Sequence, residues 1–105
     1  MAAFDVRGDW IAHQSNGFDV HFNLSQNGDS LSGSATVTPG GNPSDRVSGE
    51  VVGNDFHVVV FWRGGPTGDY AGTFGSDTRL RGLTFDVNNH QSQASWFSDK
   101  QFRRV

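Results

Sequence analysis

The chain has 105 residues, 14 glycines and no cysteine, and its 8 basic and 11 acidic residues give a net charge of −3. This length suits one domain, which we place at 1–105. The absence of cysteine excludes disulfides, thiol nucleophiles and cysteine-bound metal centres, and the acidic balance argues against nucleic acid as a partner. Because the sequence contains no membrane-helix run and no recognisable signal peptide, we expect a soluble protein without membrane association, its compartment left open.

The residue types predict an all-β fold. Glutamate and lysine occur once each, alanine is scarce, and Phe, Val, Thr, Ser and Gly dominate, which favours strands and turns over helices. Apolar residues alternate with polar ones from Phe18 to Leu24, the pattern of a half-buried strand. The same alternation predicts eight strands, at 6–14, 18–26, 30–38, 46–52, 55–62, 69–75, 79–87 and 93–99.

A short motif, an inward apolar residue followed two positions later by glycine, recurs in four of these strands. It occurs at Leu31-Ser-Gly33, Val47-Ser-Gly49, Tyr70-Ala-Gly72 and Leu80-Arg-Gly82. Inward glycines leave room inside a tightly curved sheet and allow it to bend. We therefore predict an eight-stranded antiparallel up-and-down (meander) β-barrel, with a β-sandwich of the same strand count as the alternative.

The connections predict a barrel with two different ends. Tight turns at 26–29, 53–55 and 75–78 would all lie at one end, the base. The connections 15–17, 39–45, 63–68 and 88–92 would lie at the other end, and three of them are longer and more polar. This end is the predicted open mouth, where loops over a rigid scaffold commonly carry binding residues.

Alternation places Trp62, Tyr70 and Trp96 inside the barrel near the mouth. Aromatic faces with a few convergent polar groups are typical of a small-molecule site, although rings can also simply fill a narrow barrel. Asp86, as an inward carboxylate, needs either a partner such as Arg63 or contact with the ligand. The candidate ligand-binding residues are Gln14, Asn16, Trp62, Tyr70, Asp86, Asn88, His90 and Trp96.

The outer surface also divides into two faces. The second predicted strand presents polar residues outward, whereas outward positions of the last four strands are apolar, including Val59, Phe61, Leu83, Phe85 and Phe97. Contiguous apolar patches usually mark interfaces. We therefore predict a homo-oligomer that associates through this face, unless a bulge in the seventh strand turns Leu83 and Phe85 inward.

Ordered short motifs across nearly the whole chain resemble the avidin and streptavidin family, within the wider group of calycin barrels. The motifs that carry the resemblance are Gly8-Asp-Trp10, Leu31-Ser-Gly-Ser34, Val47-Ser-Gly-Glu50 followed by Phe56-His-Val-Val-Val-Phe-Trp62, Asp69-Tyr-Ala-Gly-Thr73, and Ala94-Ser-Trp96 with Phe102-Arg-Arg-Val105. The resemblance implies an eight-stranded barrel that holds a small ligand.

The chain departs from this family at positions that the resemblance assigns to biotin's ureido ring. Ala12 and Ala35 stand where the family has an asparagine and a tyrosine, and Lys100 stands where it has an aspartate, although Asp99 is adjacent. We therefore do not expect tight biotin binding.

No spacing of histidines and carboxylates predicts a metal site, and no nucleotide-binding or catalytic motif is present. His13, His21 and His57 fall on outward positions, and we expect neither metal nor cofactor. Three function classes stay open. They are a non-catalytic small-molecule binder, a lectin that stacks a sugar on an aromatic face, and a small cyclase or isomerase that uses Asp86 or His90 as acid or base on an apolar substrate.

Overall fold

A computed structural model describes all 105 residues and shows an all-β protein. Its strands are β1 (Phe4–Asp5), β2 (Gly8–Gln14), β3 (Asp19–Asn27), β4 (Ser30–Thr38), β5 (Asn42–Val52), β6 (Asp55–Trp62), β7 (Thr67–Phe74), β8 (Leu80–Asp86), β9 (Asn89–Ser98) and β10 (Arg103–Arg104). Strands β2 to β9 form a closed barrel in sequential order, and β9 pairs with β2. This confirms the meander barrel and excludes the sandwich. No helix long and apolar enough to cross a membrane is present.

The connections at the mouth are shorter than the sequence predicts. β5 already begins at Asn42 and β9 at Asn89, so most of the predicted loops 39–45 and 88–92 is strand. The register of β5 shifts between Pro43 and Val47 in its ladder with β4 and between Ser44 and Arg46 in its ladder with β6, and the Ser44 hydroxyl accepts a hydrogen bond from the Ala35 N–H at 2.9 Å. A bulge of this kind lets a strand continue through a residue that cannot donate to the ladder.

One residue in the first turn at the mouth points in a different direction from the one that the sequence predicts. Phe18, predicted to point inward, lies just before β3 and is 42% exposed. A residue outside the hydrogen-bonded ladder is not bound by the alternation of the strand, so the period-2 pattern does not fix its direction. Its exposed ring instead forms part of the mouth.

The base is closed by the two chain termini, which the sequence analysis did not predict. β1 pairs with β10 in a small separate sheet, and the buried side chains of Phe4 and Phe102 lie beneath the barrel. Both pack on Phe74, with ring centroids 3.9 Å and 5.8 Å away, respectively. The turns at this end therefore matter less for closure than these two aromatic residues do.

Aromatic rings fill the barrel from the base upward. Trp10 is buried at the centre of the cluster, 5.2 Å from Phe102 below it and 4.9 Å from Phe22 beside it. Its Nε1 donates to the Val6 carbonyl at 3.2 Å, so the indole is fully paired. Closely packed rings at these separations gain dispersion and quadrupole energy beyond their burial.

Two inward glycines explain how so many rings fit. Gly72 and Gly82 are register partners on β7 and β8. A Cβ on Gly72 would lie 3.0 Å from the Trp96 ring, and one on Gly82 would overlap the Ala71 carbonyl. Because Gly72 has no side chain, the Trp96 indole can pack against the backbone at this position, as the recurring glycine motif predicts.

The outer face of β6 to β9 carries the predicted apolar residues without any inward turn of β8. Leu83 is 56% exposed and Phe97 49% exposed, while Val59, Phe61 and Phe85 are partly exposed. On β3, by contrast, the outward His21, Asn23 and Ser25 are polar and exposed.

Candidate functional site

An open cavity lies at the mouth of the barrel, opposite the plugged base. It has a polar lobe of about 120 Å³ and a more apolar lobe of about 300 Å³. The wall shared by the two lobes consists of Gln14, Asn16, Trp62, Pro66 and Tyr70. The polar lobe adds Gly68, Thr84, Phe85, Asp86, Ser92, Gln93 and Ala94, and the apolar lobe adds Phe18, Val37 and Asn42. We call this two-lobed space the mouth cavity.

A chain of hydrogen bonds forms the floor of the mouth cavity. The Tyr70 hydroxyl donates to Gln14 Oε1 at 2.6 Å, and Gln14 Nε2 donates to Asn16 Oδ1 at 3.1 Å. Asn16 Oδ1 also accepts the Phe18 N–H at 3.2 Å, which ties the floor to the first mouth turn. Since each link fixes the next side chain, the polar groups are held in place before any ligand arrives.

Tyr70 is the most deeply buried polar residue of the floor, with 3% of its surface exposed. Burial raises the pKa of Tyr70 to about 12, and the hydroxyl of Thr84, its cross-strand partner, opposes this shift in part. The phenol is therefore neutral at physiological pH and acts as a hydrogen-bond donor to Gln14.

Trp62 forms one side of the mouth cavity because of a glycine on the neighbouring strand. It stands at the end of β6, half-buried, and its indole leans over Gly68 of β7. A Cβ on Gly68 would lie 3.3 Å from both Trp62 Nε1 and Tyr70 Cε1. The missing side chain thus lets the two aromatic residues approach each other across the β6–β7 ladder.

Asp86 lies directly across the β7–β8 ladder from Gly68. Its Oδ1 accepts the Asn88 N–H at 2.9 Å. The cationic partner that we considered from the sequence, Arg63, instead pairs with Asp45 at 2.9 Å. Among the residues that line the mouth cavity, Asp86 is the only one with a formal charge.

Trp96 lies beneath the floor rather than at the mouth. It is 2% exposed, and its ring packs 6.1 Å from Tyr70, 5.8 Å from Phe56 and 6.3 Å from Trp10. The indole folds across the inner face of β7 and β8 because Gly72 leaves it room there. Its Nε1 has no hydrogen-bond partner. The faces of the surrounding aromatic rings can act only as weak acceptors for this N–H.

Asn88 and His90 lie outside the mouth cavity. Both are exposed at the β8–β9 connection, and the His90 ring packs on the outer face at 4.6 Å from Phe85. Residues 85 and 86 point to opposite faces of β8, so His90 and the inward Asp86 form no hydrogen-bonded acid–base pair. Gln14, Trp62, Tyr70 and Asp86, which the period-2 pattern places inward, line the mouth cavity together with the predicted turn residue Asn16.

The remaining histidines pair with aspartates on the outer surface. His13 contacts Asp19 at 2.9 Å and His57 contacts Asp69 at 2.8 Å, while His21 lies 3.3 Å from Asp9. No group of three histidine or acidic side chains is arranged to hold a metal ion.

A second groove of about 300 Å³ lies at the base, between the chain termini and the β3–β4 turn. Four of its charged groups are already paired, Arg7 with Asp5 at 2.7 Å and the N-terminal ammonium with Asp29 at 3.2 Å. It also has no aromatic side chain among its lining residues. The mouth cavity is therefore the better candidate site.

These features define an eight-stranded antiparallel closed barrel whose buried aromatic cluster is compatible with ligand binding, and its fold is compatible with a calycin or avidin-like barrel. No family model matches the chain, and the comparisons with curated proteins and with solved structures found no similar protein. The structure therefore establishes the barrel fold, and the mouth cavity is the feature that points to a function.

Proposed function

We propose that this protein is a non-catalytic binder of a small organic molecule, which it takes up in the mouth cavity. The observation that carries the proposal is the convergence of side chains from four strands on one open space. Gln14 comes from β2, Trp62 from β6, Tyr70 from β7 and Asp86 from β8. An apolar wall with a few fixed polar groups is the usual construction of a small-molecule site.

The shape of the barrel also favours the mouth as the end at which a ligand binds. Phe4 and Phe102 plug the base, whereas no side chain fills the mouth. The hydrogen bonds from Tyr70 to Gln14 and from Gln14 to Asn16 fix the floor in advance. A preorganised floor lowers the entropy cost of binding, because few side chains need to be immobilised by the ligand.

An enzyme would need more than this cavity offers. Its ionisable side chains are Asp86 and Tyr70. Tyr70, with a pKa of about 12, keeps its proton at neutral pH and donates a hydrogen bond to Gln14 Oε1. General acid–base catalysis works best with groups that titrate near the operating pH and reach the reacting atoms. His90, considered as the alternative acid or base to Asp86, packs against Phe85 and is not among the residues that line the mouth cavity.

The experiment that tests the proposal is a fragment screen followed by amide NMR spectra. We expect hits to shift the amide signals of Asn16, Gly68 and Asp86, and to lose at least about tenfold in affinity in a Trp62→Ala variant, which removes the aromatic wall. Leu83→Ala, on the outer face, is the matched control and leaves the affinity unchanged. Hits that bind Trp62→Ala as well as the native protein, or that shift the signals of the base groove instead, would refute the proposal.

A further inference from the structure

We infer that the ligand of the mouth cavity is an organic cation with a flat apolar body, whose ammonium group contacts Asp86 while its body packs on Trp62. This inference rests on the proposed function, and it adds the chemical class of the ligand. Its starting point is that the mouth cavity carries one formal charge, that of Asp86, with no lysine, arginine or histidine in its lining.

Asp86 has unused capacity to bind a cation. A carboxylate offers about four acceptor positions, and the hydrogen bond from the Asn88 N–H occupies one of them. The side chain is half-buried, and a carboxylate in such surroundings favours a paired cation. Arg63 does not provide it, because its guanidinium pairs with Asp45.

The aromatic groups stand where the same cation could contact them. Asp86 faces Gly68 across the ladder, and the Trp62 indole and the Tyr70 ring both lean over Gly68. Cross-strand partners place their Cβ positions about 4.5–5.5 Å apart, so an ammonium beside Asp86 lies within reach of these rings. A cation over an aromatic face is attracted by the ring quadrupole, most strongly when it is shielded from water.

The charge of the mouth cavity disfavours an anion. One N–H of Gln14 Nε2 is donated to Asn16 Oδ1 and the Tyr70 O–H is donated to Gln14 Oε1, so these two hydrogens are not free for a ligand. An anionic ligand would meet the Asp86 carboxylate with no cationic side chain to offset the repulsion. A neutral sugar could use the Trp62 face but would gain nothing from the charge of Asp86.

Three indole compounds that differ only in the charge of their side chain test this inference: tryptamine as cation, tryptophol as neutral analogue and indole-3-acetate as anion. We expect tryptamine to bind at least about tenfold more tightly than tryptophol, the factor that corresponds to 1.4 kcal/mol, and indole-3-acetate to bind most weakly. Calorimetry at low ionic strength, repeated with added salt, should show the preference shrinking as charges are screened.

Variants assign the preference to the carboxylate. Asp86→Asn keeps the oxygen that accepts the Asn88 N–H and should lower the affinity for tryptamine to that for tryptophol, while tryptophol binding stays the same. Asp86→Glu keeps the charge and should keep the order of the three compounds. Asp55→Asn makes the same change of charge on the exposed start of β6 at the base and should keep both the affinities and their order.

The outcomes separate the two proposals. Equal affinities for the three compounds, all lost in Trp62→Ala, would overturn the cation inference and leave the mouth cavity as a binding site. A preference that survives in Asp86→Asn, or that Asp55→Asn abolishes, would overturn the inference as well. If tryptamine does not bind at millimolar concentration, or if the fragment screen returns only neutral sugars at the mouth, the cation inference is wrong, and the screen alone decides the proposed function.

Discussion

Tyr70 and Gln14 are joined by a hydrogen bond of 2.6 Å across the interior of the barrel, although 56 residues separate them in the sequence. Their strands, β7 and β2, are not neighbours, because β8 and β9 lie between them. The bond therefore bridges the inside of the barrel, and the Tyr70 ring beneath it packs on Phe22 at 5.5 Å. This one contact separates the mouth cavity from the aromatic core.

The position of Tyr70 predicts a loss of stability at high pH. Burial raises its pKa from 10.0 to about 12, so the folded state holds the proton more tightly than the unfolded state. The stabilisation is complete below pH 10 and is lost as the pH rises through 12, by roughly 3 kcal/mol for a shift of about two units. Urea unfolding of the native protein at pH 9 to 11.5 measures this slope.

Tyr70→Phe is the matched variant for that measurement. It leaves Gln14 Oε1 without its donor, so it should be less stable at neutral pH by about 1 kcal/mol. Since Tyr70 is the only tyrosine in the chain, the stability advantage of the native protein should vanish as the pH rises from 10 towards about 11, and Tyr70→Phe should be the more stable protein above that pH. Parallel stability curves over this range would contradict the assigned pKa.

The glycine pair of β7 and β8 predicts a large cost for one methyl group. In Gly82→Ala the new Cβ would overlap the Ala71 carbonyl, which belongs to a hydrogen-bonded strand and cannot move freely. We expect a loss of at least about 1–3 kcal/mol in the free energy of unfolding, as for other overpacked interiors. Denaturant unfolding measures it.

Gly65→Ala is the control, because its Cβ would meet nothing closer than 3.6 Å in the exposed β6–β7 turn. We expect it to change stability by no more than about 0.5 kcal/mol. If the two variants were equally stable, the inward glycines would not be needed for the closure of the barrel.

The aromatic plug at the base predicts a different kind of loss. Phe102 packs on Phe74 and on Trp10, so Phe102→Ala removes contacts to both and should cost about 3–5 kcal/mol. It should also open the base and make Trp10 more accessible to a fluorescence quencher such as acrylamide. Arg103→Ala, next to it and exposed, should change neither quantity. Equal stability and equal quenching in the two variants would refute the plug.

The barrel could be predicted from the sequence because its strands are long and alternate regularly. Buried Val20, Phe22 and Leu24 on β3 are a clear example. The closure of the base by Phe4 and Phe102 could not be predicted. Two-residue strands such as β1 are too short to show a periodicity, and their burial depends on contacts between the two ends of the chain. Alternation gave the facing direction of Tyr70 and Asp86.

The alternation of apolar and polar residues did not predict how deeply Trp96 is buried or which residues surround His90. The depth of Trp96 depends on the missing side chain at Gly72, which a single-strand pattern does not contain. The position of His90 depends on the register shift between Phe85 and Asp86 in the β8–β9 ladder. Both features depend on the neighbouring strands, and the periodicity along one strand contains no information about its neighbours.

We propose that the outer face of β6 to β9 associates with a second copy of this chain. Leu83 and Phe97 are about half exposed there, and several polar side chains around them already have partners. His57 pairs with Asp69, Arg81 pairs with Asp77, and Arg46 lies over the Phe61 ring at 4.3 Å. A largely apolar face whose polar side chains already have partners costs less to desolvate when it is buried against its own copy.

Sedimentation measurements over a range of concentrations test this association. We expect the native protein to exceed its monomer mass at high micromolar concentration and Leu83→Glu to stay monomeric, because the new carboxylate would be buried without a partner. Ser25→Glu, on the polar outer face of β3, is the control and should associate like the native protein. A native protein that remains at 11.4 kDa at these concentrations would contradict the proposal.

Biotin should bind weakly at best. Ala12 and Ala35, which stand where the resembled family has an asparagine and a tyrosine, are buried and offer only methyl groups. Each missing hydrogen-bond partner costs about 1–3 kcal/mol, so the loss of both removes roughly one to four powers of ten in affinity. The Asp86 carboxylate at the mouth adds repulsion toward biotin, which is itself a carboxylate at neutral pH. We expect calorimetry to give a Kd weaker than nanomolar, and the ethylenediamine amide of biotin, which replaces that carboxylate by a cation, to bind more tightly than biotin. A nanomolar Kd for biotin, or a preference for biotin over its cationic amide, would contradict this expectation.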